Sequence, residues 1–201
     1  MDASKNQTDP RIVRTRHLIK EAFVDLLKEM DIEKMTVSKI AARATISRVT
    51  FYLHYRDIPD MLEKMADDMI EDIQQILYAR TEKQYSSNAD WLVLTSLLEH
   101  FAEHSSFYKE TLGSRKTPIF MERLSNELTK MITERIKEKG NAKIGNGDEE
   151  IQTDIAMWYG SSALIGTIVA WLRNDLPYTP HFLAKQFYLL AHKMEIDNLL
   201  N

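Results

Sequence analysis

Residues 36–55, TVSKIAARATISRVTFYLHY, bring guanidinium, hydroxyl and imidazole groups close together in the chain. Arg48, Thr50, Tyr52 and His54 all carry side chains that donate hydrogen bonds. Donors of this kind hold phosphate oxygens, and a guanidinium group also pairs with two acceptors on the edge of guanine. The chemistry that these residue types suggest is therefore recognition of a nucleic acid.

The same segment has the pattern of two short helices joined by a tight turn. Thr36 stands where a capping residue would precede a helix with apolar residues at Val37 and Ile40. Ser47 can cap a further helix that reaches about His54. Two short helices separated by about three residues are typical of a helix-turn-helix. Periodicity alone also fits a small helical core in which both hydroxyls are plain caps.

The predicted third helix has two different sides. Phe51 and Tyr55 lie one turn apart, so both can anchor the helix on the first and fourth helices. Arg48, Tyr52 and Leu53 are then left on or near the outer surface. Because an α-helix fits the major groove of DNA, Arg48 near its start is the best candidate to pair with guanine.

This segment closely resembles the DNA-binding segment of the TetR/AcrR family of bacterial transcriptional regulators. The family pattern is Thr-Val/Ile-x-x-Ile-Ala-x-x-Ala-Gly-Val-Ser-x-x-Thr-Phe-Tyr-x-His-Phe. The matching positions, in unbroken spacing, are Thr36, Val37, Ile40, Ala41, Ala44, Ser47, Thr50, Phe51, Tyr52 and His54. The resemblance covers about residues 10–62. Beyond them the chain is similar to the family only in helix order, length and an apolar penultimate helix.

The resemblance implies a role for individual positions. The counterparts of Phe51 and Tyr55 pack inward in the family, whereas the other positions of the third helix face bases, sugars or phosphates. With the neighbouring basic residues, the predicted DNA contacts are Thr36, Lys39, Arg43, Ser47, Arg48, Val49, Thr50, Tyr52, Leu53, His54 and Arg56. The C-terminal helices are expected to form a ligand pocket and a dimer interface.

Two positions depart from the family pattern. Thr45 replaces the usual turn glycine, which makes a positive φ angle less easy without forbidding the turn. Ile58 stands where the family commonly has a phosphate-contacting lysine at the start of the fourth helix. We expect that Arg56 nearby could replace that contact.

The elements that position this segment are predicted to be helices. The chain has 201 residues, 44% of them hydrophobic, with few Gly and Pro, and such a composition predicts an all-α protein of about nine helices. We expect a helix-turn-helix DNA-binding domain over residues 1–57, here called the head. A helical regulatory and dimerisation domain, here called the body, is expected over residues 58–201.

Charge is distributed unevenly between the head and the body. Residues 10–57 carry ten Lys/Arg and six Asp/Glu, whereas the whole chain has a net charge of −4. A basic head on an acidic body is consistent with a module that binds a polyanion. The chain has no cysteine and no recognisable export signal, so we expect a cytoplasmic protein.

Apolar residues at steps of three and four predict long helices outside the helix-turn-helix. A first helix begins near residues 8–10 and ends at Met30, and a fourth runs from its cap at Asp57 to roughly Arg80. Further helices are expected to start at Thr117–Pro118, to end near Arg173, and to span about residues 180–198. The apolar run over residues 158–172 has 15 residues, fewer than the ~20 of a bilayer span, so it predicts a buried helix and no membrane partner.

The body is expected to provide a dimer interface and a pocket. The last two helices carry more apolar residues than one monomer needs to bury, although an ordinary intramolecular core is the alternative. The predicted interface residues are Ile165, Ile168, Val169, Trp171, Leu183, Phe187, Leu190 and Met194. Aromatic residues at helical spacing fit a plain core or the walls of a ligand pocket. The pocket candidates are Tyr78, Trp91, Phe101, Phe107, Tyr108, Phe120, Trp158 and Tyr159.

Two other function classes stay open from the sequence. His100, Glu103 and His104 fit the H-x-x-E-H pattern of zinc peptidases, in which the histidines bind the metal and the glutamate activates water. A third protein ligand and a substrate cleft are not evident in the flanking sequence. The body could also bind a protein and act as a coregulator or activator, which an exposed groove would favour over a closed cavity.

The function predicted from the sequence is a homodimeric transcriptional regulator, a repressor that binds a palindromic double-stranded DNA operator. We expect no enzymatic activity, no cofactor and no bound metal. A small-molecule effector of unknown identity is expected to bind the body.

Overall fold

The computed structural model describes residues 9–78, 87–114, 116–138 and 152–196. Within these ranges the chain forms α-helices and no strands, which confirms the all-α prediction. The nine helices of the described residues are α1 (Pro10–Glu29), α2 (Val37–Arg43), α3 (Arg48–Tyr52), α4 (Ile58–Tyr78), α5 (Ser87–Glu103), α6 (Ser105–Tyr108), α7 (Pro118–Glu138), α8 (Thr153–Arg173) and α9 (Pro180–Ile196).

Helix α1 is amphipathic, and its N-terminus is marked by a capping residue followed by a proline. The Asp9 side chain accepts a hydrogen bond from the Arg11 backbone N–H at 2.9 Å, and Pro10 occupies the first helical position. Ile19, Phe23 and Leu27 are fully buried. The steps of three and four in the sequence therefore correctly predicted which face of α1 packs inward.

Helix α3 is shorter than the sequence predicted. It ends at Tyr52 rather than near His54, and the chain then turns directly into α4. The turn is held by Asp60, whose carboxylate accepts the Arg56 backbone N–H at 2.9 Å and the Lys64 ammonium group at 2.9 Å. These bonds lower the pKa of Asp60 below its usual value, the backbone bond from Arg56 most of all.

The core continues from the head into the body without a break. In the body, α4 packs on α5 and α7, α7 packs on α8, and α5 packs on α9. Phe23 of α1 and Phe120 of α7 are both fully buried, with ring centroids 6.4 Å apart. The head is thus attached to the body by side-chain packing as well as by the chain connection through α4.

A second contact ties the end of α1 to the body. The Lys116 ammonium group, just before α7, donates to the Leu27 carbonyl at 2.7 Å and to the Met30 carbonyl at 3.4 Å. It satisfies carbonyl groups that a helix C-terminus leaves unpaired, where a positive charge is also favourable. Lys20 of α1 lies 4.1 Å from the centre of the Phe107 ring in α6. A movement of α6 or α7 would therefore displace groups that contact α1.

Helix α8 is less buried than the sequence predicted. By length and composition alone α8 could cross a membrane, and fewer than a third of the residues in its apolar stretch are buried inside the chain. Ile168, Trp171 and Leu172 belong to the core, as they would in a soluble helix, but Trp158 and Tyr159 are 61% and 62% exposed. The prediction of a buried helix is correct for one side of α8 and wrong for the other.

Candidate nucleic-acid interface

Helix α3 is held by a cap and by two aromatic anchors. The Ser47 hydroxyl accepts the Thr50 backbone N–H at 3.0 Å and lies 2.8 Å from the Thr50 hydroxyl. Phe51 is fully buried and Tyr55 is 2% exposed, with ring centroids 5.6 Å apart. Because both anchors pack inward, the orientation of a helix of only five residues is fixed by the rest of the head.

The opposite side of α3 is open to solvent. Arg48 is exposed, and Val49, Tyr52 and Leu53 are 70%, 49% and 78% exposed. The predicted division between an inward and an outward side of α3 thus agrees with the burial of these residues. A guanidinium, a phenol and two apolar side chains are thus exposed on one short helix, which could enter the groove of a duplex.

The turn before α3 has the conformation that the glycine of the family pattern suggests. Thr45 has a φ angle of 56°, in the left-handed region that a β-branched residue rarely adopts. Its backbone N–H bonds to the Ala42 carbonyl at 3.2 Å, and the Ile46 N–H bonds to the Ala41 carbonyl at 2.9 Å. The turn therefore forms with Thr45 in a strained conformation.

Basic groups surround the C-terminal end of α3. The charge of Arg16 on α1 acts on His54, and the Lys64 ammonium group donates to the His54 carbonyl at 3.2 Å. Partial burial, and to a smaller extent Arg16, lower the pKa of His54. The Arg56 side chain is 80% exposed although its Nε donates to Asp60, whereas Ile58 packs against the core.

Two of the basic residues predicted to bind DNA are already paired inside the head. Arg43 donates to both carboxylate oxygens of Glu29, at 2.9 and 2.8 Å. The Lys39 ammonium group donates to the Lys34 carbonyl at 2.8 Å. Both side chains are exposed, and because exposed pairs of this kind are weak, their predicted contacts to DNA stay predictions. Glu29 is 14 residues from Arg43, so helical spacing alone did not indicate this pair.

Thr36 is exposed, and its hydroxyl accepts the Lys39 backbone N–H at 3.3 Å, as expected for a cap. The hydroxyl group can still donate its own proton. Thr36, Ser47, Thr50 and His54 therefore place hydroxyl and imidazole groups beside the open side of α3. These four residues are therefore placed where the predicted phosphate contacts require them.

The aromatic residues predicted to line a ligand pocket fall into separate environments. Phe101, Phe107, Tyr108 and Phe120 are buried in the core, with ring centroids 4.6 Å apart for Phe101–Tyr108 and 5.4 Å apart for Phe107–Phe120. Trp158 and Tyr159 are exposed, and Trp91 packs edge-on against His181. The Tyr78 hydroxyl bonds to Glu127 at 3.2 Å. The rings of the four core residues pack against one another between the helices, and their part in a ligand pocket stays a prediction.

The histidine pair also has a structural explanation. Nε2 of His100 is 2.7 Å from the Tyr108 hydroxyl, and the His100 and His104 rings are 4.7 Å apart. Burial first, and His104 second, lower the pKa of His100. Within the described residues, no group of three or more His, Cys, Asp or Glu side chains could hold a metal ion. The zinc hydrolase alternative therefore has only a sequence pattern in its favour.

A polar groove that the sequence did not predict lies between α4 and α7. It has a volume of about 340 Å³, and Gln74 and Glu127 are joined across it by a 2.9 Å hydrogen bond. The lining residues are Asp67, Ile70, Glu71, Gln74, Arg123, Asn126, Glu127 and Lys130. Charged residues at steps of three and four on both helices were a signal for this surface.

The predicted dimer residues are mostly core residues of the single chain. Ile168, Val169, Trp171 and Leu183 are at most 8% exposed, so they offer little surface to a second subunit, and their part in a dimer interface stays a prediction. Ile165 and Phe187 are partly buried and pack against the core. Leu190 is 63% exposed. The side chain of Met194 lies outside the described residues.

Other apolar residues, some on α8 and some on α9, are exposed. We call this set the α8–α9 face, and its members are Ile155, Trp158, Tyr159, Phe182, Leu189 and Leu190, each at least 45% exposed. On α8 it continues along a row of small exposed residues, Ser162, Ala163, Gly166, Thr167 and Ala170. The spacing of these small residues in the sequence could have indicated the exposed side of α8. That side lies opposite the bulky residues that were predicted to form the interface.

Comparison with known proteins agrees with the fold and with the segment resemblance. A TetR-type family model described as a transcriptional regulator C-terminal region matches residues 90–193, more than half of the chain. An uncharacterised HTH-type transcriptional regulator, YxbF of Bacillus subtilis (strain 168), is 34% identical over 84 residues. That match spans 41% of this chain and 22% of the relative, so the chain covers about a fifth of the length of the curated protein.

Solved structures share the fold over nearly the whole chain. A TetR transcriptional regulator from Streptococcus agalactiae 2603V is 26% identical, with a TM-score of 0.64, and the match covers 91% of this chain and 96% of that one. The regulator FadR from Bacillus subtilis, solved in complex with stearoyl-CoA, is 21% identical, with a TM-score of 0.62 and coverage of 87% and 96%. At that identity the second likeness concerns the fold alone.

Proposed function

Because the chain belongs to the TetR family of transcriptional regulators, we propose that it is a homodimeric repressor that binds a palindromic operator through α3. One observation carries this proposal above the others. Arg48, Val49, Tyr52 and Leu53 are all exposed on one side of α3 while Phe51 and Tyr55 anchor the other side. The alternatives of a zinc hydrolase and of a coregulator have no comparable observation in their favour.

Each group around α3 has a defined role in the proposed complex. The Arg48 guanidinium pairs with O6 and N7 of a guanine in the major groove. Thr36, Ser47, Thr50 and His54 contact the flanking phosphates and set the register of α3 on the duplex. Arg56, which is largely exposed, supplies the phosphate contact that Ile58 cannot make. Lys39 and Arg43 contribute mainly to the structure of the head.

The proposed dimer forms through the α8–α9 face. On an isolated chain its exposed apolar side chains would favour aggregation. In a dimer with two-fold symmetry, the α8–α9 faces of the two subunits would bury each other. The small residues of α8, such as Gly166, would allow close approach of the partner helix. A dimer of this kind presents two α3 helices to half-sites about 34 to 36 Å apart, or a multiple of that distance.

We propose that a small molecule controls the repressor from the body. Binding would move α4, or the α6–α7 region that contacts Lys20 and the end of α1, and so change the spacing of the two heads. The effector must have different affinities for the two arrangements, because otherwise it shifts nothing. We further propose that the protein acts in the cytoplasm, where its DNA target lies.

The experiment that tests the DNA proposal is selection of bound duplexes from a random pool. We expect enrichment of a palindromic sequence, and affinity that falls as salt is raised, because phosphate contacts release counterions. Affinities must be compared at one salt concentration. Failure to enrich any duplex, with correctly folded protein, would contradict the proposal.

The effector proposal has its own experiment. Stearoyl-CoA, the ligand in the solved FadR complex, is a suitable first probe because that protein has the same fold. Release of the selected operator on its addition would identify an acyl-CoA as the effector class. Unchanged operator affinity at saturating probe would exclude acyl-CoA effectors of this length.

A further inference from the structure

Two of the most exposed residues of the head are apolar. Val49 is 70% exposed and Leu53 is 78% exposed, whereas Ile40, another aliphatic residue of the head, is fully buried. Val49 and Leu53 are four residues apart, so they lie on the same side of α3 one turn from each other. Tyr52, between them in sequence, is 49% exposed.

The groups around Val49 and Leu53 are polar or cationic. Ser47 and Thr50 carry hydroxyl groups beside the start of α3, and His54 and Arg56 follow its end. A partner that covers this surface must offer apolar contact at the centre and hydrogen-bond acceptors or negative charge at the edges. The major groove of DNA has this arrangement, because phosphates line both sides of the base edges.

We propose that Val49 and Leu53 read thymine methyl groups in the operator. This inference rests on the proposed function and adds the identity of the bases. The C5-methyl of thymine is the apolar group that a base pair displays in the major groove, and apolar side chains recognise it by contact. The half-site therefore contains thymines at the Val49 and Leu53 positions beside the guanine that pairs with Arg48.

The geometry of α3 also sets the spacing of these thymines. Four residues of helix advance about 6 Å, and successive base pairs are about 3.4 Å apart along each strand. The two methyl contacts are therefore about two base-pair steps apart if α3 runs along the groove. A general preference for A·T-rich DNA would not require thymines at this fixed spacing, so the spacing distinguishes the two possibilities.

The test replaces thymine by deoxyuridine, which keeps every hydrogen-bonding group and removes only the methyl. In the selected operator, single replacements at two positions of each half-site should weaken binding about fourfold each, the value of one buried methyl group. Replacements outside the half-sites should have no effect. Fluorescence anisotropy at one salt concentration measures both.

Protein variants assign each methyl group to its side chain. Leu53→Ala should weaken binding to the thymine operator, and the deoxyuridine replacement at its partner position should then cause no further loss. Val49→Ala, which removes both γ-methyl groups of the side chain, should behave in the same way at the other position. Leu92→Ala is the matched control, because Leu92 is an exposed leucine of the body.

The outcomes separate this inference from the proposed function. If the protein selects an operator but deoxyuridine at every half-site position leaves the affinity unchanged, the methyl readout is wrong and the regulator proposal stands. Equal losses for all thymines in wild-type protein and in both variants would also contradict it. If no operator is selected, the proposed function itself fails.

Discussion

The chain exposes apolar side chains in two places, and the surroundings of these two surfaces differ. On α3, Val49 and Leu53 stand among hydroxyl, imidazole and guanidinium groups. On the α8–α9 face, residues such as Trp158 and Tyr159 continue into a row of small, uncharged residues. Exposure alone therefore does not distinguish the two surfaces, whereas the groups at the edge of each surface do.

In the proposed function, this difference favours a different partner for each surface. A ring of hydrogen-bond donors and positive charge around a small apolar centre suits a polyanion with apolar groups at the middle of its groove. A broad apolar surface with small residues suits a second copy of the same surface. In the proposed assembly the second contact holds two copies of the first at a fixed separation.

The largest expected effect comes from breaking the α8–α9 face. Gly166 is exposed and a Cβ added there would meet nothing within 4 Å, so Gly166→Arg should leave the single chain folded. In the dimer the arginine would lie in the interface. We expect a monomer by sedimentation and a loss of operator affinity of about 100-fold or more, because the second head no longer binds at high effective concentration.

Gln75→Arg is the control for this variant. Gln75 is exposed on α4, and the substitution adds the same charge away from the α8–α9 face. The control should remain dimeric and bind the operator as the wild type does. A dimeric Gly166→Arg protein with full operator affinity would contradict the proposal that the α8–α9 face forms the dimer that brings two α3 helices to the operator.

The next largest effect concerns the charged group on α3. Arg48→Ala should weaken binding to the selected operator by about 1 to 3 kcal/mol and relax the preference for guanine at one position, as expected for loss of a bidentate pair. Arg123→Ala, which removes an arginine paired with Asp67 at 3.4 Å on the body, is the control. Equal selectivity of the Arg48 variant and the wild type in a binding titration would refute the guanine contact.

A smaller effect is expected from the turn that positions α3. Thr45 has a φ angle of 56°, and replacing it by glycine removes steric strain while adding backbone freedom to the unfolded chain. We expect Thr45→Gly to raise the free energy of unfolding by about 0.5 to 1 kcal/mol in urea. Thr45→Ala keeps the unfavourable conformation and should not stabilise. A destabilised glycine variant would show that this turn is not strained.

The smallest effect is the pH dependence of operator binding. The pKa of His54 is lowered in the free protein, whereas a nearby phosphate would raise it in the complex. Binding then takes up protons, so operator affinity should increase about two- to threefold as the pH falls from 7.5 towards 6. His54→Gln should abolish this dependence and weaken binding to all sequences alike. An identical pH profile for the variant would mean that His54 does not contact phosphate.

Much of the head could be predicted from the sequence because its signals are local. The caps at Thr36 and Ser47, and the inward pair Phe51 and Tyr55, lie within a few residues of the elements they control. The positive φ angle of Thr45 followed from its place in the family pattern. The pair between Arg43 and Glu29 joins α1 to α2, and spacing within one helix cannot indicate such a contact.

The body was harder to predict because its helices are apolar on more than one side. Bulky residues on α8, such as Ile168 and Trp171, were assigned to the dimer interface but belong to the core. The opposite side of the same helix is the exposed one, and its small residues gave a weaker hydrophobic signal. For Phe101 and Phe120, the sequence could not distinguish rings that line a cavity from rings that fill it.

The most direct test of the central claim is methylation interference with dimethyl sulfate on the selected operator. This reagent methylates N7 of guanine in the major groove. If α3 reads the major groove through Arg48, premethylation of one guanine in each half-site should prevent binding, at two symmetric positions about one helical turn apart or a multiple of it. Binding that tolerates methylation of every guanine N7, or interference at one position without a symmetric partner, would contradict the account.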